Sequence, residues 1–240
     1  MSTQTKCENL IKRYYQGVVF RDSALHKGIS KHIFPGAVVL DAGCGHDAPI
    51  ASQYVEKASL CAGVDLVERF DAPREVRVVR ADLNKLPFVD RTFDLAFSRS
   101  VLEHLPEPAR TFREFSRVLK KGGKLILVTP NKYDYASIFA RMIPNRFHGM
   151  FLRNTVGEDV YDNFPTHFRC NTRSSILKAL EGTDLQLQKI EYLRHYPYYL
   201  MFSVPLFYLG MAYDRMITAM KMGFLQPSIY VEIRKSQVPA

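Results

Sequence analysis

The stretch Val38-Val39-Leu40-Asp41-Ala42-Gly43-Cys44-Gly45 decides the fold. A short apolar run bounded by turn residues reads as a buried strand. It ends on an acid and enters a glycine turn that opens a helix, expected over Pro49 to Lys57. The glycines permit positive φ and let a ligand approach the backbone closely. A dinucleotide-binding turn carries Gly-x-Gly-x-x-Gly. Here Gly43 and Gly45 are followed by His46, Asp47 and Ala48, so the third glycine is absent. Asp41, two residues before the first glycine, would repel a pyrophosphate and suits a ligand that carries positive charge.

Outward from this turn, further strands read at Leu60 to Asp65, Val76 to Arg80, Phe93 to Ser98 and Lys124 to Thr129. A helix over Pro106 to Leu119 is stopped by Lys121-Gly122-Gly123. The segment from Ala81 to Thr92 is short for a helical crossover and reads as loop. Strands alternating with helices specify a parallel sheet with right-handed crossovers. Such sheets bind ligands beyond the carboxyl ends of their strands, where the strand order reverses. Residues 1–35 read as helices, and residues 144–171 as an insertion with little periodicity. Thr172 is placed to cap a helix running to Leu180. Leu185 to Tyr192 and Ile229 to Ile233 alternate apolar and polar residues as strands. The expected organisation is one domain over residues 1–240. It has an N-terminal helical cap (1–35), a ligand-binding core (36–131) and two covering insertions (132–171 and 195–226).

The 240 residues, 47% of them apolar, suffice for a full core and exclude global disorder. Four scattered cysteines without a CxxC pair point away from a disulfide framework or a metal module. Met1 to Leu10 is polar and lacks an apolar h-region, so a cytoplasmic location is expected. The net charge of +9 raises nucleic acid as a partner. Its distribution weakens that reading: residues 1–131 carry 20 basic and 15 acidic residues, residues 132–240 carry 13 and 9. The main local stripe, Arg110, Arg113 and Arg117 followed by Lys120, Lys121 and Lys124, reads as a solvated helix face. Past residue 131 the composition shifts, with 18 of the 29 Phe and Tyr and seven of the eight Met.

Five segments together resemble the class I S-adenosylmethionine-dependent methyltransferases, in particular the small-molecule branch that includes the quinone-biosynthesis enzymes. They are Asp41-Ala42-Gly43-Cys44-Gly45, then Gly63-Val64-Asp65-Leu66, then Ala81-Asp82-Leu83 with Leu86-Pro87-Phe88 and Phe93-Asp94-Leu95. Ser98 to Leu105 and Leu119 to Leu125 complete the set in the family's order and spacing. The resemblance spans about Tyr14 to Asn131, and Thr166 to Tyr192 loosely. It departs from the family at Asp47, where many members have a third glycine. It implies a Rossmann-like, seven-stranded, mostly parallel α/β sheet with helices on both faces, and S-adenosylmethionine as cofactor.

The roles that the resemblance implies follow the parts of that cofactor. Asp41, Ala42, Gly43, Cys44 and Gly45 would meet its amino acid end, Asp41 taking the ammonium. Asp65 would take both ribose hydroxyls. Asp82 would accept from the adenine amino group, Leu66 and Leu83 would sandwich the ring, and Ser98 would lie near the methionine part. A general base is needed only if the acceptor must lose a proton. His104, His148 and His167 are candidates, and Arg99, Arg169 and Tyr161 suit an acidic or sugar acceptor. Cys44 reads as a small packing residue.

Tyr196 to Tyr213 contains no charged residue. Pro197, Pro205, Gly210 and the crowded tyrosines argue against a spanning helix, and the strand at Ile229 must return to the sheet. A buried lid, a homodimer face and a peripheral membrane contact all fit the stretch. The expected activity is transfer of a methyl group to a small-molecule, lipid-linked or saccharide acceptor, on oxygen. RNA or protein methylation and a non-catalytic adaptor are the alternatives.

Overall fold

The computed structural model describes residues 2–135, 137–138 and 164–237. His148 and Tyr161 lie outside the described residues. The strands are β1 (Ala37–Ala42), β2 (Ala58–Asp65), β3 (Val76–Arg80), β4 (Phe93–Arg99), β5 (Leu119–Pro130), β6 (Leu185–Leu193) and β7 (Ser228–Lys235). They form one seven-stranded sheet in the order β3-β2-β1-β4-β5-β7-β6. β3 to β5 pair in parallel, as the alternating strands and helices predict. β1 is flanked by β2 on one side and β4 on the other. The order therefore reverses at β1, and the end of β1 is where a ligand crevice belongs.

The chain divides into two compact units. The larger comprises Asp22–Thr129, Pro165–Glu191 and Tyr230–Ala240; the smaller comprises Met1–Arg21, Pro130–Phe164 and Tyr192–Ile229. In the larger unit the helices are α2 (Arg21–His32), α3 (Pro108–Val118) and α4 (Arg173–Leu180). Its core is filled by Leu40, Phe93, Leu95, Phe97, Phe112, Phe115 and Leu125, all fully buried. Phe112 and Phe115 form the inner face of α3 because three-residue spacing returns to one side of a helix. Thr172 caps α4 with a capping box closed by Ser175, where Glu or Gln is commoner.

Three expectations need correction. The helix expected over Pro49 to Lys57 is a single 3-10 turn, Ala51–Tyr54. Ala48, at φ 44°, stands where a dinucleotide-binding turn has its third glycine, and the chain runs from the 3-10 turn into β2 at Ala58. The glycines after α3 do not end a helix ahead of β5 but lie inside it. Between the pairs Phe93↔Leu119 and Leu95↔Lys124 the longer segment bulges. Gly122, at φ 79°, supplies the turn, and a Cβ on Gly123 would press on the carbonyl oxygens of Phe93, Asp94 and Lys120. Finally, the basic stripe on α3 is not uniformly solvated. Arg117 binds Glu114 and Asp90 and the carbonyls of Leu86 and Phe88, locking the loop before β4. Lys120 pairs with Asp94 at 2.7 Å.

The smaller unit contains α1 (Thr3–Tyr14) and α5 (Val204–Ala219). Cys7, Tyr15, Phe207 and Met211 are its buried centre, with Leu10, Ile11, Phe20 and Tyr196 packed around them. Within Tyr196 to Tyr213 the chain makes a 3-10 turn, Tyr198–Leu200, and then enters α5. Gly210 lets α5 approach that turn: a Cβ there would crowd Pro197 and Leu200. Buried Asp214 is held by Arg194 at 2.6 Å. No helix among the described residues is long and apolar enough to cross a membrane.

Gly28 tests the packing in the larger unit. It lies inside α2, where Ala would gain about 1 kcal/mol of helix propensity. A Cβ there would overlap the Tyr230 hydroxyl and come within 2.9 Å of Ile126 Cγ2. Overpacking costs about 1–3 kcal/mol, or more when the neighbours cannot move. Gly28→Ala is therefore expected to lower stability by roughly 1–2 kcal/mol in urea unfolding; a rise in stability would contradict this packing.

Candidate cofactor site at the end of β1

β1 delivers Asp41 into a fully buried position and then turns at Gly43. The backbone N–H groups of Gly43 and Cys44 both donate to Val64 O, at 2.7 and 3.1 Å, which ties the turn to β2. Gly43 and Gly45 have φ of 84° and 67°, conformations that glycine adopts freely. Gly43 is required a second time. A Cβ there would collide with Val101, whose side chain fills the space behind the turn. At Gly45 a Cβ would meet nothing within 4 Å, so the turn faces open space at that residue.

Asp41 accepts one hydrogen bond at Oδ2, from Ala51 N at 3.3 Å. Its Oδ1 is buried and has no hydrogen-bond partner among the described residues. Burial pushes its carboxyl up to about 7; the Ala51 N–H and the Arg99 guanidinium pull the other way, and Asp65 adds to the rise. An uncompensated buried carboxylate oxygen is costly, so this atom calls for a donor, best a cationic one. Arg99, at the end of β4, pairs with Asp22 at 3.4 Å.

Asp65, at the end of β2, is more fully bonded. Its Oδ2 accepts from Gly45 N at 2.7 Å, and its Oδ1 accepts from Leu66 N at 2.6 Å and Val67 N at 3.3 Å. It clamps the glycine turn to β2, and a carboxylate with about four lone-pair positions retains capacity for a further donor. Asp82 is exposed and its Oδ1 accepts from Asn84 N at 2.8 Å, a local turn. Leu83 is buried beside it, while Leu66 is exposed.

Two predicted residues face inward. Ser98 is fully buried and donates to Ala42 O at 2.6 Å, so its hydroxyl braces β4 to β1 beneath the turn. Cys44 is buried, and burial, with Asp41 and Asp65 adding, pushes its thiol up to about 12. Its Sγ occupies the space that a Cβ on Gly63 would take, as a packing residue does.

The candidate bases come together at the carboxyl ends of β4 and β5. Glu103 O accepts from His167 N at 2.6 Å and Phe168 N at 3.1 Å. Glu103 itself is buried and takes the Thr129 hydroxyl at 3.2 Å, and Asn171 bonds Thr129 in turn. His104 Nδ1 lies 3.1 Å from Pro165 O. A carbonyl can only accept, so Nδ1 carries the hydrogen and Nε2 is the basic nitrogen of the neutral ring. His167 is exposed. Arg169 donates to Pro106 O at 2.8 Å and so helps hold the segment that carries His167. Sequence reasoning missed Val101 and the structural role of Glu103, since neither residue type signals its burial or its partners.

The donor set fits S-adenosylmethionine. An unmatched buried carboxylate oxygen suits the ammonium, an open positive-φ turn suits close approach, and an acid at the end of β2 suits a ribose diol. Residues 40–127 match the family described as a methyltransferase domain. A sarcosine/dimethylglycine N-methyltransferase of Halorhodospira halochloris is 30% identical over 119 residues, 44% of this chain and 42% of that protein. A 27-O-demethylrifamycin SV methyltransferase of Amycolatopsis mediterranei is 30% identical over 103 residues, 38% of each. The chain spans less than half the length of the curated relatives it matches. An S-adenosylmethionine-dependent methyltransferase structure from Mesorhizobium loti shares the fold, with a TM-score of 0.58 at 22% identity, covering 90% of this chain and all of that one. The fold, the turn geometry and the matched segment agree: residues 40–127 are similar to a methyltransferase domain, and the chain has the fold of the solved S-adenosylmethionine-dependent methyltransferase.

Proposed function

We propose that the protein transfers a methyl group from S-adenosylmethionine to an oxygen of a small acceptor, free or carried on a lipid or sugar. The observation that carries this reading is Asp41, a buried acid with an unmatched oxygen under an open glycine turn. The sulfonium cofactor supplies an electrophilic methyl carbon, so positioning can furnish much of the rate. Asp41 receives the ammonium. Asp65 holds Gly45 in place and accepts from the ribose diol with its remaining lone pairs. The second oxygen of Asp82 and the side chains of Leu66 and Leu83 receive the adenine. His167 or His104 accepts the proton of an acceptor hydroxyl. The names of the two curated relatives specify small acceptors, one methylated on nitrogen and one on oxygen. A lipid-linked acceptor would bring the protein to a membrane through Tyr196 to Tyr213. Incubation with methyl-labelled cofactor and cell extract, followed by fractionation, should place the label in small molecules or lipids. Label confined to RNA or protein would contradict the reading.

Two variants separate the roles of the glycines. Gly45→Ala should bind S-adenosylhomocysteine about tenfold more weakly, from left-handed strain of about 1–2 kcal/mol. Gly43→Ala should lose far more, and Gly43→Ala with Val101→Ala should recover part of it, read by calorimetry. Equal losses with no recovery would show that Val101 is not the constraint.

The pH dependence follows from Asp41. In the folded chain it keeps its proton up to about pH 7, whereas in the unfolded chain it loses it in the ordinary carboxylate range. Between those values the folded state binds more protons, so this group lowers stability as pH rises through the window. The ammonium of the ligand needs the ionised form. Affinity for S-adenosylhomocysteine should therefore climb from pH 5.5 to about 7 and then level off. Asp41→Asn should flatten that rise; an unchanged profile in the variant would remove Asp41 from the site.

A further inference from the structure

The smaller unit carries an apolar face that its own core does not use. α5 buries Phe207, Met211, Asp214 and Ile217 on one side. Leu206, Leu209, Met216 and Met220 recur on another side, at 39%, 66%, 50% and 62% exposure. At 100° per residue these four fall within one narrow stripe that runs the length of the helix. Phe202 before the helix and Phe224 after it are also about half exposed. Patches of this kind mark interaction surfaces.

The charge of the smaller unit indicates what covers the stripe. Among its described residues the smaller unit has eight basic and three acidic side chains, and two of the acids, Asp134 and Asp214, are buried. Arg13 and Arg215 both lie over the exposed ring of Tyr14, at 5.3 and 4.7 Å from its centroid. Neither forms an ion pair with a described residue. Lys221 follows the end of α5. In a two-fold contact between copies the same surface meets itself, which would oppose cations to cations with little acid to offset them. An anionic headgroup layer has the complementary charge, and its acyl boundary accepts the apolar stripe.

We propose that the outer face of α5, with Arg13, Arg215 and Lys221, docks in the plane of an anionic lipid bilayer. This deepens the reading of a lipid-linked acceptor, but partition onto lipid is measured without cofactor, so the two can fail separately. The test is co-sedimentation of the intact protein with phosphatidylcholine vesicles and with 7:3 phosphatidylcholine:phosphatidylserine vesicles. The wild type should prefer the mixed vesicles at least tenfold, the more so at low salt. Leu209→Glu with Met216→Glu should lower partition at least tenfold, and Arg13→Glu with Arg215→Glu should abolish the preference for phosphatidylserine. Unchanged S-adenosylhomocysteine binding in both variants would show that the fold is intact. Absence of partition by the wild type would overturn the proposal. So would light scattering that shows a dimer which Leu209→Glu with Met216→Glu converts to monomer, because the stripe would then be a self-association face.

Discussion

A carboxylate sealed inside a protein must be matched by a donor or keep its proton. Asp41 is matched at one oxygen only. The architecture places that unmet requirement at the reversal of the strand order, directly below a turn that opens outward at Gly45. The buried sheet supplies the low dielectric that raises the carboxyl to about 7. A bound ammonium would remove the cost, so the energy held in the isolated protein favours a cationic ligand over water or an anion.

The second acid plays a different part. Asp65 collects three backbone N–H groups, and in doing so fixes the turn that Asp41 underlies. Val101 closes the turn from behind, and Ser98 braces β4 to β1 beneath it. Binding geometry thus rests on a frame of short polar contacts between β1, β2 and β4. In the proposed reading this frame leaves an oxygen of Asp41, spare lone pairs of Asp65 and the open side of Gly45 to meet the amino acid end and ribose of the ligand.

Much of this was legible in the residues. The run Val38 to Gly45 specifies strand, acid and turn, because apolar patterning and glycine conformation are local properties. The same holds for the strands expected to end at Asp65 and Ser98. What was not legible depends on contacts distant in sequence. Gly122 and Gly123 read as a helix stop, yet they shape a bulge in β5 set by the register against β4. Arg117 reads as a surface cation, yet it locks a loop whose carbonyls only the fold brings near. Ser98 reads as a ligand contact, yet its hydroxyl is taken by Ala42 O. His104 and His167 are 63 positions apart in sequence, and Glu103 joins their segments.

The central claim is that Asp41 gives up a proton to receive the ammonium of the ligand. Calorimetric titration with S-adenosylhomocysteine at pH 6, in two buffers of different ionisation enthalpy, counts the protons released on binding. The account predicts release of about one proton per site at pH 6, falling toward none at pH 8. Binding without proton release at pH 6, or no binding at either pH, would contradict it.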